Sequence, residues 1–177
     1  RLTDVTGVQT CALPILHIKL GILWYTSGDA FISESTQDSG SALVLSAQYS
    51  WDQQNYEGVT APATAAKAAL KIYLWRSGAS NRTVFIDHAR FVLGSSDAAQ
   101  DGGLLTTADH DWSFEGDGSK WTYTGTGATW GSATRQRAGA KSLSYSSQTT
   151  SESGRTIVSS MMTGISPGNQ YSCSAWM

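Results

Sequence analysis

An alternating pattern of apolar residues is the feature that most restricts what this chain can fold into. Within residues 18–24, every second side chain is large and apolar, ending at Trp24. Side chains of a β-strand point to opposite faces in turn, so this period of two predicts a strand with one face in the core. Trp24 lies on the apolar face and is predicted to be buried. The residues Ser27, Gly28 and Asp29 follow and predict a turn.

Similar segments recur along the chain at a spacing typical of an antiparallel sandwich or barrel. Further strands are predicted at residues 42–46, 69–75, 83–91, 121–124, 141–145, 155–162 and 171–177. Residues 166–169 read Ser-Pro-Gly-Asn and predict a turn before the last strand. The alanine-rich segment 61–69 has Pro62 where a helix could begin, so a short helical turn is an alternative there.

Composition excludes some function classes. Only 15% of the 177 residues are charged and the net charge is -2, with no run of Lys or Arg that would track a phosphate backbone. No apolar stretch approaches the roughly 20 residues of a membrane-spanning helix. We therefore expect neither nucleic acid nor membrane as a partner. Seven Trp and seven Tyr exceed what one small core needs and indicate a recognition surface.

Residues 5–15 resemble the in-frame translation of a sequencing-library adapter, so we expect residues 1–15 to be an adapter-derived tail and leave them out of the fold. Cys11 lies in that tail. Cys173 is then the single remaining cysteine, so no internal disulfide is expected. The last predicted strand also runs to the final residue, which we interpret as the edge of a fragment.

A polar segment rich in Gly, Ser and Asp divides the chain. Residues 95–102 are predicted to be a flexible linker between the segments 16–94 and 103–177. This is the clearest boundary that the sequence shows.

The segment after the linker resembles the N-terminal half of the family 4/9 carbohydrate-binding modules. The resemblance is carried by Trp-Ser-Phe-Glu at 112–115, Trp121, Ala-Gly-Ala-Lys-Ser-Leu at 138–143, Pro-Gly at 167–168 and Tyr-Ser-Cys-Ser-Ala-Trp at 171–176. The segment before the linker resembles the C-terminal half of the same modules, through residues 22–25, Trp51, Val-Thr-Ala-Pro-Ala at 59–63 and Thr-Val-Phe-Ile-Asp at 83–87. Where family members usually have Asn and a second acidic residue, this chain has Asp111 and His88.

This resemblance implies a jelly-roll β-sandwich of two antiparallel sheets, similar to galactose-binding domains, that binds a polysaccharide or oligosaccharide without catalysis. It also implies an extracellular or cell-surface location and a monomeric module within a longer multidomain chain. Because the C-terminal half comes first, residues 103–177 followed by 16–94 spell about one module. We therefore predict a single circularly permuted sandwich made from two half-modules.

The resemblance further implies a structural calcium ion held by Glu115, Asp87 and Asp111. Calcium takes six to eight oxygen ligands from carboxylates and carbonyls. The alternative is that Glu115 caps a turn and Asp87 binds backbone amides.

The glycan site itself is predicted from strand periodicity. In the strand 69–75 the residues Leu70, Ile72 and Leu74 share one face, which places Lys71, Tyr73 and Trp75 on the other. Tyr and Trp offer a flat apolar face with a polar tip, which suits a sugar ring. The candidate carbohydrate-binding residues are Tyr73, Trp75, Tyr25 and Lys71. Alternatively, Tyr73 and Trp75 pack beneath a loop or a neighbouring module.

No catalytic residue is predicted. His17, His88 and His110 lack a metal-ligand spacing, and no Ser or Cys lies in a nucleophile motif. The acidic cluster Asp109, Asp111, Glu115 and Asp117 suits turn or cation chemistry better than a glycosidase pair, which needs a fixed separation across a cleft. The alternative function is a structural or adhesive jelly roll of a phage tail or cell-surface protein that binds no glycan.

Overall fold

The computed structural model describes residues 16–38, 42–45, 51–76, 82–95, 110–125, 127–147 and 155–177. Its strands are β1 (Leu16–Tyr25), β2 (Phe31–Thr36), β3 (Leu43–Leu45), β4 (Gln53–Thr60), β5 (Lys67–Arg76), β6 (Arg82–Leu93), β7 (Trp121–Tyr123), β8 (Ala128–Ser132), β9 (Ser142–Ser147), β10 (Thr156–Ser159), β11 (Met162–Thr163) and β12 (Gln170–Trp176). The predicted tail 1–15 and all but the first residue of the predicted linker 95–102 lie outside the described residues.

The described strands form two antiparallel sheets, which confirms the all-β sandwich prediction. The first sheet has the order β2-β1-β5-β10-β7, with β3 also paired to β1 and β11 to β5. The second sheet has the order β4-β12-β6-β9-β8.

One apolar core lies between the two sheets. The alternating residues of β1 are completely buried in it, including Trp24, as predicted. The second sheet contributes large side chains such as Phe91, Tyr145 and Tyr171, and the rings of Phe91 and Tyr171 stack with their centroids 5.6 Å apart. Each fully buried large side chain contributes about 1.5–3 kcal/mol to folding, so this core is the main source of stability.

Both halves of the chain contribute strands to both sheets. In the first sheet β10 pairs with β5, where Thr156 lies opposite Tyr73. In the second sheet β12 lies between β4 and β6. The two segments therefore share one sandwich, as we predicted, and do not form separate half-sheets. The jelly-roll winding and the circular permutation remain predictions.

The structure contains the predicted turn at residues 166–169 but not the alternative helical turn at residues 61–69. Residues 166–169 form a type II turn, in which Asn169 N–H donates to Ser166 O at 3.3 Å and Gly168 has a φ of +77°. The alternative helical turn at 61–69 is not formed. Ala65 N–H bonds to Pro62 O at 3.0 Å, and the chain then enters β5, because Lys67 pairs with both β1 and β11.

Gln37 links the two sheets at the end of β2. Its Oε1 accepts hydrogen bonds from Leu20 N at 2.8 Å and Gln54 Nε2 at 2.9 Å, and its Nε2 donates to Asn55 O at 2.6 Å. A buried amide with these partners ties β1 to β4 across the edge of the core.

Candidate functional site

The four predicted glycan-binding residues all lie on the outer side of the first sheet. We call this surface the tyrosine face; its residues are His17, Lys19, Tyr25, Glu34, Lys71, Tyr73 and Trp75. The strand register explains the grouping, because Tyr73 lies opposite Lys19 and Trp75 opposite His17. Tyr25 lies at the other end of the same strand pair, opposite Lys67. Lys71, Tyr73 and Trp75 are therefore neighbours, and Tyr25 is separate from them.

Tyr73 is covered by charged side chains. Only 8% of it is exposed, although it lies outside the core. The ammonium groups of Lys19 and Lys71 lie 4.8 and 4.5 Å from the centre of its ring, and its hydroxyl donates to the Glu34 carboxylate. Lys71 completes the cluster with an ion pair to Glu34 at 3.1 Å. The flat face of Tyr73 is therefore occupied by protein groups in this structure.

The other two aromatic residues of this face are more accessible. The half-buried Trp75 stacks on His17, with ring centroids 5.1 Å apart and an angle of 10° between the planes. Tyr25 meets Phe31 edge to face at 5.8 Å, and 59% of Phe31 is exposed. Burial, and secondarily the charge of Glu34, raises the pKa of the Tyr25 hydroxyl above its usual value, so Tyr25 remains a neutral hydrogen-bonding group at neutral pH.

A second aromatic surface lies on the outer side of the other sheet, and we did not predict it. Ala175 and Met177 point into the core, so the intervening Trp176 points outward. Trp176 pairs with Gln53 across the sheet, and Trp51 lies two residues before Gln53 in the sequence. The arginine–tryptophan face, as we call it, consists of Trp51, Gln53, Arg135, Arg137 and Trp176.

Each tryptophan of the arginine–tryptophan face has a guanidinium group over its ring. The Cζ atom of Arg137 lies 3.9 Å from the ring centre of Trp176, and that of Arg135 lies 5.6 Å from the ring centre of Trp51. Both distances are within the range of a cation–π contact. Each of the two indole rings therefore has a positively charged group over one of its faces.

Asp87 fixes the loop that carries these arginines, residues 133–141. It is completely buried, and its Oδ2 accepts hydrogen bonds from Arg137 N at 2.9 Å and Ala138 N at 3.2 Å. Its Oδ1 accepts from His88 N at 2.8 Å and contacts His88 Nδ1 at 2.9 Å. His88 has a φ of +50°, and this local irregularity turns Asp87 toward the loop.

Glu115 holds the other end of the same loop. Its Oε1 accepts from Ala140 N at 2.9 Å and Lys141 N at 3.1 Å. Gly139 lies between the two anchors with a φ of +73°, and a Cβ there would come within 1.9 Å of the Glu115 carboxylate. The loop conformation therefore requires glycine at this position.

The structure gives the three predicted calcium ligands roles in backbone hydrogen bonding. Asp87 and Glu115 bind loop amides, as described above, and both oxygens of Asp111 accept from Gly116 N at 3.1 Å. Burial, against the effect of its backbone hydrogen bonds, raises the pKa of Asp111. Within the described residues, no group of three or more His, Cys, Asp or Glu side chains is arranged to hold a metal ion.

The three histidines that the sequence analysis considered for catalysis have different partners. His17 stacks on Trp75, His88 contacts Asp87 and Trp112, and His110 Nε2 lies 3.4 Å from Met161 O. Asp117 is exposed and caps a turn through Ser119 N, whereas Asp109 lies outside the described residues.

Comparisons with known proteins found no match: no family model, no curated protein and no solved structure is similar to this chain. In the parts of the chain that the structure describes, no helix has the length and apolar character needed to cross a membrane.

Proposed function

We propose that this protein is a non-catalytic carbohydrate-binding module of a modular extracellular protein. The observation that carries the proposal is the arginine–tryptophan face, where two outward tryptophans lie beside polar side chains on the outer surface of a β-sheet. A sugar ring presents C–H groups on its faces and hydroxyl groups around its edge, so an aromatic ring beside hydrogen-bonding groups suits it. The ordered resemblance to family 4/9 modules supports the same class of function.

The tyrosine face is the second place where a glycan could bind. Trp75 and Tyr25 keep part of their rings accessible there, at opposite ends of the face. Tyr73 contacts a ligand only if the lysines above its ring move aside. Both faces therefore have cationic side chains over aromatic rings, and the binding experiment with variants of each face decides between them.

Affinity electrophoresis tests the proposal and separates the two faces. Gels containing a soluble neutral or acidic polysaccharide should retard the intact protein. Trp51→Ala with Trp176→Ala should remove the retardation if the arginine–tryptophan face binds, and Tyr73→Ala with Trp75→Ala should remove it if the tyrosine face binds. Unretarded migration in every gel would favour the alternative, a structural or adhesive domain of a cell-surface or phage tail protein.

We include calcium binding in this proposal because the resemblance to family 4/9 modules implies it. An ion bound near Glu115 would add to the anchoring of loop 133–141, which the carboxylates already hold. Its effect on stability can be measured, as described in the Discussion.

A further inference from the structure

We infer that the arginine–tryptophan face selects acidic polysaccharides, whose uronate carboxylates bind Arg137. This inference rests on the proposed function and names its substrate class. The chain as a whole is acidic, with a net charge of -2, yet this one surface places two guanidinium groups over two indole rings. A local positive site on an acidic protein indicates a specific anionic ligand more than general attraction to polyanions.

The backbone that carries the two guanidinium groups is held in place before any ligand binds. The peptide N–H of Arg137 itself is held by the buried Asp87. The carbonyl oxygen of Arg135 accepts a hydrogen bond from the Ser142 hydroxyl. Gln136 Nε2, between them, donates to Ala140 O at 3.1 Å. Because the backbone under both arginines is fixed, less conformational entropy is lost when their side chains contact a ligand.

Arg137 has hydrogen-bonding capacity left for a ligand. A guanidinium group stacked on an aromatic ring uses its face for that contact, and its N–H donors remain at its edge. In the described part of the chain, no carboxylate lies within ion-pair distance of Arg137. The nearby Asp87 accepts backbone N–H groups instead. Arg137 is therefore able to take an external carboxylate.

A uronate carboxylate suits the Arg137 guanidinium. An arginine fork binds a carboxylate through two parallel hydrogen bonds. A uronic acid residue carries a carboxylate on a pyranose ring, so it offers a charged group and a C–H face within one unit. A neutral sugar would have to displace Arg137 to stack on Trp176, whereas a uronate uses the guanidinium where it lies.

The test compares each acidic polymer with its own neutral form. Polygalacturonate and glucuronoxylan are used as purified and after chemical reduction of their carboxyl groups, in affinity gels with the intact protein. Arg137→Ala and Arg137→Lys test the fork, and Lys120→Ala, an exposed lysine beside the first sheet, is the control with the same charge change. Poly-L-glutamate tests attraction to charge without sugar. Melting temperatures verify that each variant is folded.

We expect retardation by at least one acidic polymer and little by its reduced form, weakened by added NaCl. Arg137→Ala should reduce affinity on the order of tenfold or more, as for loss of hydrogen bonds to a charged group. Arg137→Lys should also lose affinity, because an ammonium cannot form the fork, and Lys120→Ala should not. Equal binding of acidic and reduced polymers overturns the inference and leaves the proposed function standing. Equal binding of poly-L-glutamate also overturns it, and no binding to any polysaccharide contradicts the proposed function itself.

Discussion

Asp87 and Glu115, which come from different halves of the chain, accept hydrogen bonds from nearby backbone amides of one loop, residues 133–141. Asp87 lies on β6 before the predicted linker, whereas Glu115 and the loop lie after it. The pair therefore joins the two segments at the arginine–tryptophan face. The loop that these carboxylates hold also carries Arg135 and Arg137, which lie over the tryptophans, so the same carboxylates support the face proposed to bind a ligand.

Replacing Asp87 should destabilise the fold strongly. Asp87→Ala leaves the amides of His88, Arg137 and Ala138 without their acceptor. We expect the free energy of unfolding to fall by about 3 kcal/mol, because three backbone donors lose hydrogen bonds to a charged carboxylate. Urea unfolding measures the change. Asp117→Ala, which removes an exposed carboxylate, is the control and should have a much smaller effect; equal effects would show that the buried anchor has no special role.

Gly21 provides the space in which Tyr73 reaches Glu34. A Cβ at this position would lie 3.0 Å from Glu34 Oε1 and 3.2 Å from Tyr73 Cε2. Gly21→Ala should therefore cost about 1–3 kcal/mol of stability, as overpacking usually does. Gly28→Ala is the matched control, since the nearest atom to a Cβ there is 4.0 Å away, and its effect should stay within about 0.5 kcal/mol. Thermal unfolding of both variants is the measurement. Equal effects of the two substitutions would show that the tyrosine face tolerates the added methyl group.

Replacing Gln37 should lower the stability of the fold more than replacing an exposed glutamine. Gln37→Ala removes the acceptor of Leu20 N and the donor to Asn55 O, so we expect a loss of about 2 kcal/mol. Gln170→Ala, an exposed glutamine at the start of β12, should change stability by less than about 0.5 kcal/mol. Chemical denaturation of the two variants is the measurement, and similar losses would contradict the bridging role.

The calcium prediction is tested by melting the protein with excess calcium and with chelator. An ion that binds only the folded state raises the melting temperature by mass action, and Glu115→Ala should abolish the rise. The variant alone also loses the loop anchor, so its melting is compared with and without calcium. If calcium and chelator leave the melting temperature of the unsubstituted protein unchanged, the calcium prediction is wrong. The carboxylates then act only through their hydrogen bonds to the backbone.

The sequence predicted the central strands because their patterns are strong. β1 and β5 alternate regularly, and both lie inside the first sheet with their apolar faces in the core. β2, β4 and β8 were missed. They lie at the edges of the sheets, where fewer side chains are buried, so the period of two that identifies a strand is weak in their sequences.

The sequence predicted the face of Tyr73 but not its surroundings. Alternation places Tyr73 on the outer side of β5, where it is found. Its cover comes from Lys19 on β1 and Glu34 on β2, and strand pairing of this kind cannot be deduced from one strand alone. The same reason explains why the arginine–tryptophan face was missed, since Trp176 meets Gln53 only through the pairing of β4 with β12, and the arginines come from a separate loop.

Binding of the intact, purified chain to a glycan array that contains neutral and uronate-bearing oligosaccharides tests the central claim most directly. We expect selective signals from a subset of glycans, with uronate-bearing members among them. We also expect that the protein releases no reducing ends from the same glycans in solution. Trp176→Ala should lose those signals while remaining folded. An array without signal above background, from protein shown to be folded, would contradict the claim that this sandwich is a carbohydrate-binding module.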